Sequence, residues 1–175
     1  MTSELRARIP KDGDRIAVFG GPGSGKTTLA ARAVSRDVMR DLRYTLVFDP
    51  TGDFETYLRE GSVAPEHVHQ DLIRVVTSAD EAVRLGHGRA SSFGLLRTHR
   101  CFILNAKKGM RDKAKQFVSA LNSDATQGWV FVCDEAELVF GNNGRDVDDV
   151  LEGLKLVRNR KQRLYTVGQR PQWLS

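Results

Sequence analysis

The sequence has few cysteines, no long apolar run and no secretory signal, and each absence narrows the class of protein. Its 175 residues include only Cys101 and Cys133, which lie in apolar, strand-like runs typical of core residues rather than of a zinc site. No stretch of about eighteen apolar residues is present, so no membrane-spanning helix is expected. The N-terminus lacks the apolar segment of a secretory signal. We therefore expect a cytoplasmic protein with one domain over residues 1–175, in which 1–14 form an N-terminal extension.

Acidic residues are absent from the C-terminal part of the chain, so the net charge of +5 is unevenly distributed. Residues 153–175 contain no Asp or Glu, but they contain the cationic side chains of Lys155, Arg158, Arg160, Lys161, Arg163 and Arg170. A block of this kind either contacts polyanions or neighbouring subunits, or forms a solvated basic face. The residues alone leave both interpretations open.

A glycine-rich segment near the N-terminus carries the most specific signal. Residues 20–28 match the phosphate-binding loop G-x-x-x-x-G-K-[ST] (Walker A), follow the apolar run Arg15–Phe19 and precede a segment rich in helix formers. Small residues let backbone N–H groups wrap a triphosphate, whose charge the helix N-terminus also favours. The predicted nucleotide-binding residues are Gly21, Pro22, Gly23, Ser24, Gly25, Lys26, Thr27 and Thr28. Lys26 is expected to reach the β- and γ-phosphates, and Thr27 to bind Mg²⁺.

Strand-like and helical segments alternate along the chain. Besides the first strand, the sequence predicts strands over Tyr44–Phe48, Leu72–Val76, Cys101–Asn105, Trp129–Cys133 and Leu164–Gly168. Helices are predicted after the glycine loop, from Ser78 onward, where a capping-box spacing occurs, and over Arg111–Leu121 and Val147–Val157. The alternation predicts an α/β sandwich around a mostly parallel sheet, with residues 86–100 as a loop. In such sheets, ligands bind at the carboxyl ends of the strands.

Polar residues follow several of these strands. Asp134 and Glu135 come directly after the fifth strand, as in the acidic pair (Walker B) that holds Mg²⁺ and polarises the attacking water. We assign Asp134 to the Mg²⁺ and Glu135 to the water, whereas Glu137 is a weaker candidate for the base because it lies two residues further along. Gln169 follows the sixth strand and can both donate and accept near a γ-phosphate. Asp49 and Asp53, after the second strand, either join this cleft or shape a turn.

Four segments together resemble the FtsK–HerA superfamily of DNA-pumping ATPases. They are the glycine loop, Asp-Pro-Thr-Gly-Asp-Phe at 49–54, Val-Phe-Val-Cys-Asp-Glu at 130–135, and Gln-Arg-Pro at 169–171. Within the superfamily, the short chain is similar to the genome-packaging ATPases of tailless icosahedral viruses of the tectivirus kind. The resemblance covers residues 15–174 and implies a P-loop NTPase fold of the RecA/FtsK–HerA type, a three-layer sandwich.

The resemblance also implies roles for individual residues. Lys26 and Thr27 correspond to the phosphate-loop lysine and the Mg²⁺ ligand, Asp134 and Glu135 to the acidic pair, and Gln169 to a sensor glutamine. Members of the superfamily act as rings in which an arginine of one subunit contacts the γ-phosphate bound by the next. That arginine commonly precedes the last core strand, which points here to Arg160 among the catalytic residues, with Arg158 and Arg163 as rivals.

The function that the resemblance implies is an ATP-hydrolysing translocase that packages viral DNA into a preformed capsid. Its cofactors are ATP and Mg²⁺, and its partners are double-stranded DNA bound without regard to sequence, a homo-oligomeric ring (pentamer or hexamer) and capsid or vertex proteins. Besides the host cytoplasm, the virion is then a possible location. Either the acid-free C-terminal block or a second basic cluster, consisting of Lys107, Lys108, Arg111, Lys113 and Lys115, would line the channel.

Two other classes remain open. A filamentous-phage assembly ATPase of the zonula-occludens-toxin type shares the Pro-Gly-Ser-Gly-Lys-Thr loop and a segment like that from Asp134 to Phe140, although it usually has a membrane helix. A small-molecule kinase also carries a phosphate loop, but it does not account for the 49–54 segment or for Gln-Arg-Pro. A kinase would phosphorylate a small acceptor and ignore DNA.

Overall fold

A computed structural model describes residues 11–59, 68, 70–87, 99–140 and 147–169, and for residues 147–152 it describes the backbone only. Residues 1–10 of the predicted N-terminal extension, 88–98 of the predicted loop, and Arg170 and Pro171 of the Gln-Arg-Pro segment lie outside the described residues. The strands are β1 (Arg15–Phe19), β2 (Thr45–Asp49), β3 (Ile73–Val76), β4 (Cys101–Asn105), β5 (Val130–Cys133) and β6 (Arg163–Gly168). The helices are α1 (Lys26–Met39), α2 (Asp53–Arg59), α3 (Ala79–His87), α4 (Met110–Leu121), α5 (Glu137–Phe140) and α6 (Val147–Asn159).

The strands form one six-stranded sheet in the order β1-β6-β5-β2-β4-β3. All five strand pairs are parallel, which confirms the predicted α/β class. Because the strands run in one direction, all their carboxyl ends lie along a single edge of the sheet. We call this the carboxyl edge and the opposite one the amino edge.

Helices cover both faces of the sheet. Val47, Ile103 and Val132 point to one face, where they join a buried cluster with residues of α1 and α2. The alternate residues of the same strands join a second cluster with α3, α4 and the end of α6. The inner strands are therefore apolar on both sides, as expected for a parallel sheet between two helical layers. Cys101 and Cys133 are free and buried within these clusters, as predicted.

The predicted strands and longer helices are present, and most of their ends lie within a residue or two of the prediction. Ser78 accepts a hydrogen bond from the backbone N–H of Glu81 (3.1 Å), and the Glu81 carboxylate reaches back to the N–H of Thr77 (2.8 Å). The capping-box spacing thus marks the start of α3 correctly. The short helices α2 and α5 were not predicted, because neither has enough residues to display a periodic apolar pattern.

The amino edge contains a group of ion pairs centred on Arg163, a buried residue at the start of β6. Its guanidinium contacts carboxylates of Asp37 (2.5 Å), Asp41 (2.7 Å) and Asp12 (3.4 Å). Asp37 is fully buried in α1 and also accepts the hydroxyl hydrogen of Tyr165 (2.8 Å). Burial raises the pKa of the Asp37 carboxyl, whereas the Tyr165 hydrogen bond and the Arg163 charge oppose that rise. These contacts fix α1, and with it the phosphate loop, to β6.

Replacement of Arg163 should therefore destabilise the fold. Arg163→Ala leaves the Asp37 carboxylate buried without its countercharge, and we expect the free energy of unfolding to fall by about 3–5 kcal/mol. Urea unfolding measures this loss, with Lys155→Ala, an exposed cation of α6, expected to change stability by less than about 0.5 kcal/mol. Equal effects of the two variants would contradict the structural role of Arg163.

Candidate nucleotide-binding site

Three adjacent strands bring the predicted nucleotide-binding residues to the carboxyl edge. β6 lies between β1 and β5. The phosphate loop follows β1, Gln169 follows β6 and the acidic pair follows β5. Gly168 pairs in register with Phe19, and Thr166 with Cys133, so these three strand ends lie nearly level. Residues that are far apart in the sequence thus meet along one line, although no strand pairing joins β1 directly to β5.

The loop has the backbone shape that its glycines allow. Gly23 (φ 73°) and Gly25 (φ 81°) lie in the left-handed region, and a Cβ atom at either position would meet no other atom within 4 Å. The space beside the loop is therefore open to a ligand. The Lys26 ammonium donates to the Gly21 carbonyl (2.9 Å), which holds its charge over the loop. α1 begins with no acidic residue and no side-chain cap, so its N-terminal N–H groups favour an anion.

The acidic side of the site concentrates negative charge. Asp134 is buried, and its pKa is raised to about 7 by burial and by the neighbouring carboxylates of Glu135, Asp49 and Asp53. Glu135 is half-buried, and its backbone lies in the left-handed region (φ 50°), which is strained for a residue with a side chain. The chain thus turns sharply at the acidic pair.

Asp49 shapes a turn and also contributes to the charge of the site. Its fully buried carboxylate accepts hydrogen bonds from the backbone N–H groups of Gly52 (2.7 Å) and Glu55 (3.0 Å), and it thereby satisfies donors at the start of α2. The sequence left turn and cleft as alternatives for this aspartate. In the structure the two coexist, because Asp49 orders the turn while its charge acts on Asp134.

Glu137 connects the acidic segment to the end of β6, a connection that was not predicted. Its carboxylate accepts the backbone N–H of Gln169 (2.5 Å). A Cβ atom on Gly168 would lie only 2.8 Å from the same carboxylate oxygen, so the close approach requires glycine there. In the sequence, the Gly168-Gln169 pair marks the end of the strand. Nothing in its spacing relates this pair to Glu137. This geometry suits a residue that positions Gln169.

The donor set fits a Mg²⁺ ion bound together with phosphates. Mg²⁺ is usually held by one or two carboxylates plus phosphate oxygens and water. Asp134 is a buried carboxylate among others, an environment that a divalent cation would neutralise. Thr27, in the first turn of α1, would supply the hydroxyl ligand. The residues present therefore suit the predicted cation.

The three candidate arginines lie near the amino edge, away from the phosphate loop of their own chain. Arg163 is held by the ion pairs described above. Arg160 pairs with Asp124 (2.9 Å), whose side chain is 95% exposed. Arg158, at the end of α6, is exposed. None of the three can serve its own phosphate loop, because the sheet separates them from it.

Comparison with known proteins gives matches among solved structures only. No family model and no curated protein matches the sequence. In the part of the chain that the structure describes, no helix is long and apolar enough to cross a membrane.

The similar structures include viral packaging enzymes. The genome packaging NTPase B204 from Sulfolobus turreted icosahedral virus 2, solved with ATP-gammaS, has a TM-score of 0.61 and 15% identity, over 90% of this chain and 65% of that one. This chain thus spans slightly less than two thirds of that protein. B204 from Sulfolobus turreted icosahedral virus, described as a DNA-packaging ATPase, gives a TM-score of 0.59 and 15% identity over 94% and 69% of the two chains.

The N-terminal domain of zonular occludens toxin from Neisseria meningitidis is a weaker match, with a TM-score of 0.47 and 16% identity over 93% and 72% of the two chains. The B204 matches confirm that this chain has the fold of P-loop NTPases. They also agree with the family resemblance inferred from the sequence.

Removal of the Glu137 carboxylate should release the end of β6. In Glu137→Ala the backbone N–H of Gln169 loses a charged acceptor. We expect this backbone hydrogen to exchange with solvent about tenfold faster or more. Gly168→Ala should act in the same direction, because the added Cβ displaces the carboxylate. Residue-resolved hydrogen exchange measures both, with Glu137→Gln as the control that retains an oxygen acceptor. Unchanged exchange in Glu137→Ala would refute this role.

Proposed function

We propose that this protein is an ATPase that drives double-stranded DNA into a preformed viral capsid. The observation that carries the hydrolytic part is the convergence of the phosphate loop, Gln169 and the Asp134–Glu135 pair on three adjacent strand ends. A site that only bound nucleotide would have no use for a second carboxylate beside the cation ligand. The coupling to DNA is supported by the packaging enzymes among the similar structures.

The phosphate loop and Lys26 bind and orient the triphosphate. Backbone N–H groups at the start of α1 donate to phosphate oxygens, and the Lys26 ammonium leaves the Gly21 carbonyl for the β- and γ-phosphates. Thr27 and Asp134 hold the Mg²⁺, which when bound neutralises developing charge on the phosphates. Bound phosphates would thereby replace the hydrogen bond between Lys26 and the Gly21 carbonyl.

Glu135 and Gln169 act on the attacking water. The Glu135 carboxylate accepts a proton from the water or orients it toward the γ-phosphorus, while Asp134 remains with the cation. The Gln169 amide can donate to a γ-phosphate oxygen or accept from the water. Its position depends on the bond from its backbone to Glu137, so a shift of Glu137 would move the group that senses the nucleotide.

The working form is a homo-oligomeric ring, a pentamer or a hexamer, with capsid or vertex proteins as its docking partners. Arg160 completes the site of the neighbouring subunit. The Arg160 side chain is 15% exposed and its ion-pair partner Asp124 is 95% exposed, so Arg160 would have to leave Asp124 to reach a γ-phosphate of the neighbouring subunit. The protein would act in the host cytoplasm and on the virion.

Two single substitutions test the site. Lys26→Ala removes the charge on the phosphates and should weaken both ATP binding and turnover. Glu135→Gln should leave ATP binding in place and lower the turnover by about a hundredfold or more, the contribution of a general base. Phosphate release and binding of a fluorescent ATP analogue measure the two quantities.

Glu137→Gln is the matched control for the Glu135 substitution. Its amide oxygen can still accept the Gln169 N–H, so turnover should stay close to that of the unmodified chain. If Glu137→Gln abolishes hydrolysis while Glu135→Gln does not, the base is Glu137 and the assignment is wrong. Phosphorylation of a small acceptor, with no release of phosphate to water, would indicate a kinase instead.

A subunit-mixing experiment tests Arg160. Arg160→Ala and Lys26→Ala chains should each be inactive, but their mixture should regain activity, because some interfaces pair an intact loop with an intact arginine. Arg158→Ala, mixed with Lys26→Ala in the same way, serves as the control. No recovery at any ratio of Arg160→Ala to Lys26→Ala would exclude action in trans by Arg160.

A further inference from the structure

We propose that the loop and helix start that follow β4 form the surface that grips the DNA backbone. We call this surface the basic corner and define it by Lys107, Lys108, Arg111 and Lys115. The inference rests on the proposed DNA-pumping function and goes further, because it chooses between the two basic regions of the sequence.

The basic corner presents positive charge that the rest of the fold does not neutralise. All four of its side chains are exposed, and within the described residues none of them forms an ion pair. One acidic residue, Asp112, lies among them. Arg111 and Lys115 are one turn apart on α4, which places their Cβ atoms about 5–6 Å apart along one line. A row of exposed cations of this kind fits a phosphate backbone, whose recognition needs no base contacts.

The rival region is differently arranged. In the C-terminal block Arg163 is buried among three carboxylates and Arg160 pairs with Asp124. These side chains already satisfy carboxylates within the chain, and they lie near the amino edge. Three other cations of the block remain exposed and outside any ion pair within the described residues, namely Lys155, Arg158 and Lys161. What distinguishes the basic corner is therefore its place beside the nucleotide site.

The basic corner also lies on the same edge as the nucleotide site and contacts it. The backbone N–H of Ala106 donates to the Asp49 carbonyl (2.8 Å), so Lys107 follows directly on the strand end that carries Asp49. A Cβ atom on Gly52 (φ 85°) would lie 2.7 Å from both Cε and Nζ of Lys107, so this lysine packs on the turn that Asp49 orders. The Asp49 charge in turn acts on Asp134. Two interactions thus connect the basic corner with Asp134, the predicted Mg²⁺ ligand. Lys107 packs on the turn that Asp49 orders, and the charge of Asp49 acts on Asp134.

Lys113 differs from its neighbours and is not part of the surface. It is half-buried, and its ammonium donates to the Asn105 carbonyl (2.5 Å). This bond fastens the first turns of α4 to the end of β4. It thereby holds the exposed cations of the basic corner at a fixed place relative to the nucleotide site.

The test compares two triple variants that remove the same charge. The first is Lys108→Ala/Arg111→Ala/Lys115→Ala in the basic corner, and the second is Lys11→Ala/Lys155→Ala/Lys161→Ala, three exposed lysines outside it. Fluorescence anisotropy with short labelled DNA duplexes of two unrelated sequences, over a range of salt concentrations, gives the affinity and its salt dependence. Thermal unfolding of each variant checks that it is folded.

We expect the corner variant to lose at least about tenfold in affinity, and the slope of log affinity against log salt to fall by about 2–3, since each lost phosphate contact contributes about 0.9. The control triple variant should retain most of the affinity and most of the salt dependence. The two duplex sequences should bind equally well. Equal losses in the two variants, or a loss confined to the control, would overturn the proposal. Binding to polyglutamate gives a further comparison. If the corner variant loses binding to polyglutamate but keeps binding to DNA, the partner is an acidic protein and the proposal is overturned.

ATP turnover of the unmodified chain without DNA separates this inference from the proposed hydrolase. Turnover without any DNA binding overturns the basic corner as a DNA surface and leaves the nucleotide site in place. DNA binding that depends on the corner, without turnover, supports the corner and overturns the hydrolase.

Discussion

The accumulation of negative charge at the carboxyl edge is the constraint on which the site depends. Burial and the carboxylates of Glu135, Asp49 and Asp53 raise the pKa of Asp134 there, and a triphosphate would add further negative charge. Backbone N–H groups at the start of α2 donate to Asp49, and the N–H of Gln169 donates to one oxygen of Glu137. Asp134 is buried beside these carboxylates, and its pKa is raised to about 7. The proposed divalent cation would neutralise this charge, and Lys26 would do the same for the phosphates.

The parallel topology separates stabilisation from the proposed chemistry. At the amino edge, Arg163 is paired with carboxylates in and just after α1, and those pairs fix α1 and β6 to each other. At the carboxyl edge, Lys26 contacts only a loop carbonyl and the basic corner is unpaired within the described residues. Charge that is already paired costs much to release when it is buried, whereas exposed, unpaired charge is available to a polyanion. The two edges can therefore change independently.

Much of the fold and of the site could be predicted from the sequence, because the relevant signals are local. The phosphate loop, the acidic pair and Gln169 each follow a recognisable strand, and the rule that ligands bind at strand ends relates them. The strand order could not be predicted, since it depends on which helices pack together. The contact of Glu137 with the end of β6 also depends on this packing. From the sequence, Glu137 could only be ranked as a weaker candidate for the base, because it lies two residues beyond Glu135. Its contact with Gln169 joins residues 32 positions apart and has no local pattern.

The basic residues illustrate why composition alone misleads about partners. The acid-free block at 153–175 is the most conspicuous charge feature of the sequence. Yet the carboxylates that oppose Arg163 come from the other end of the chain, Asp12, Asp37 and Asp41, and only folding brings them together. Conversely, the basic corner contains an acidic residue but meets no carboxylate partner within the described residues. The charge that a partner experiences is what remains after the chain has paired its own residues, and the basic corner is the part of that remainder that lies beside the nucleotide site.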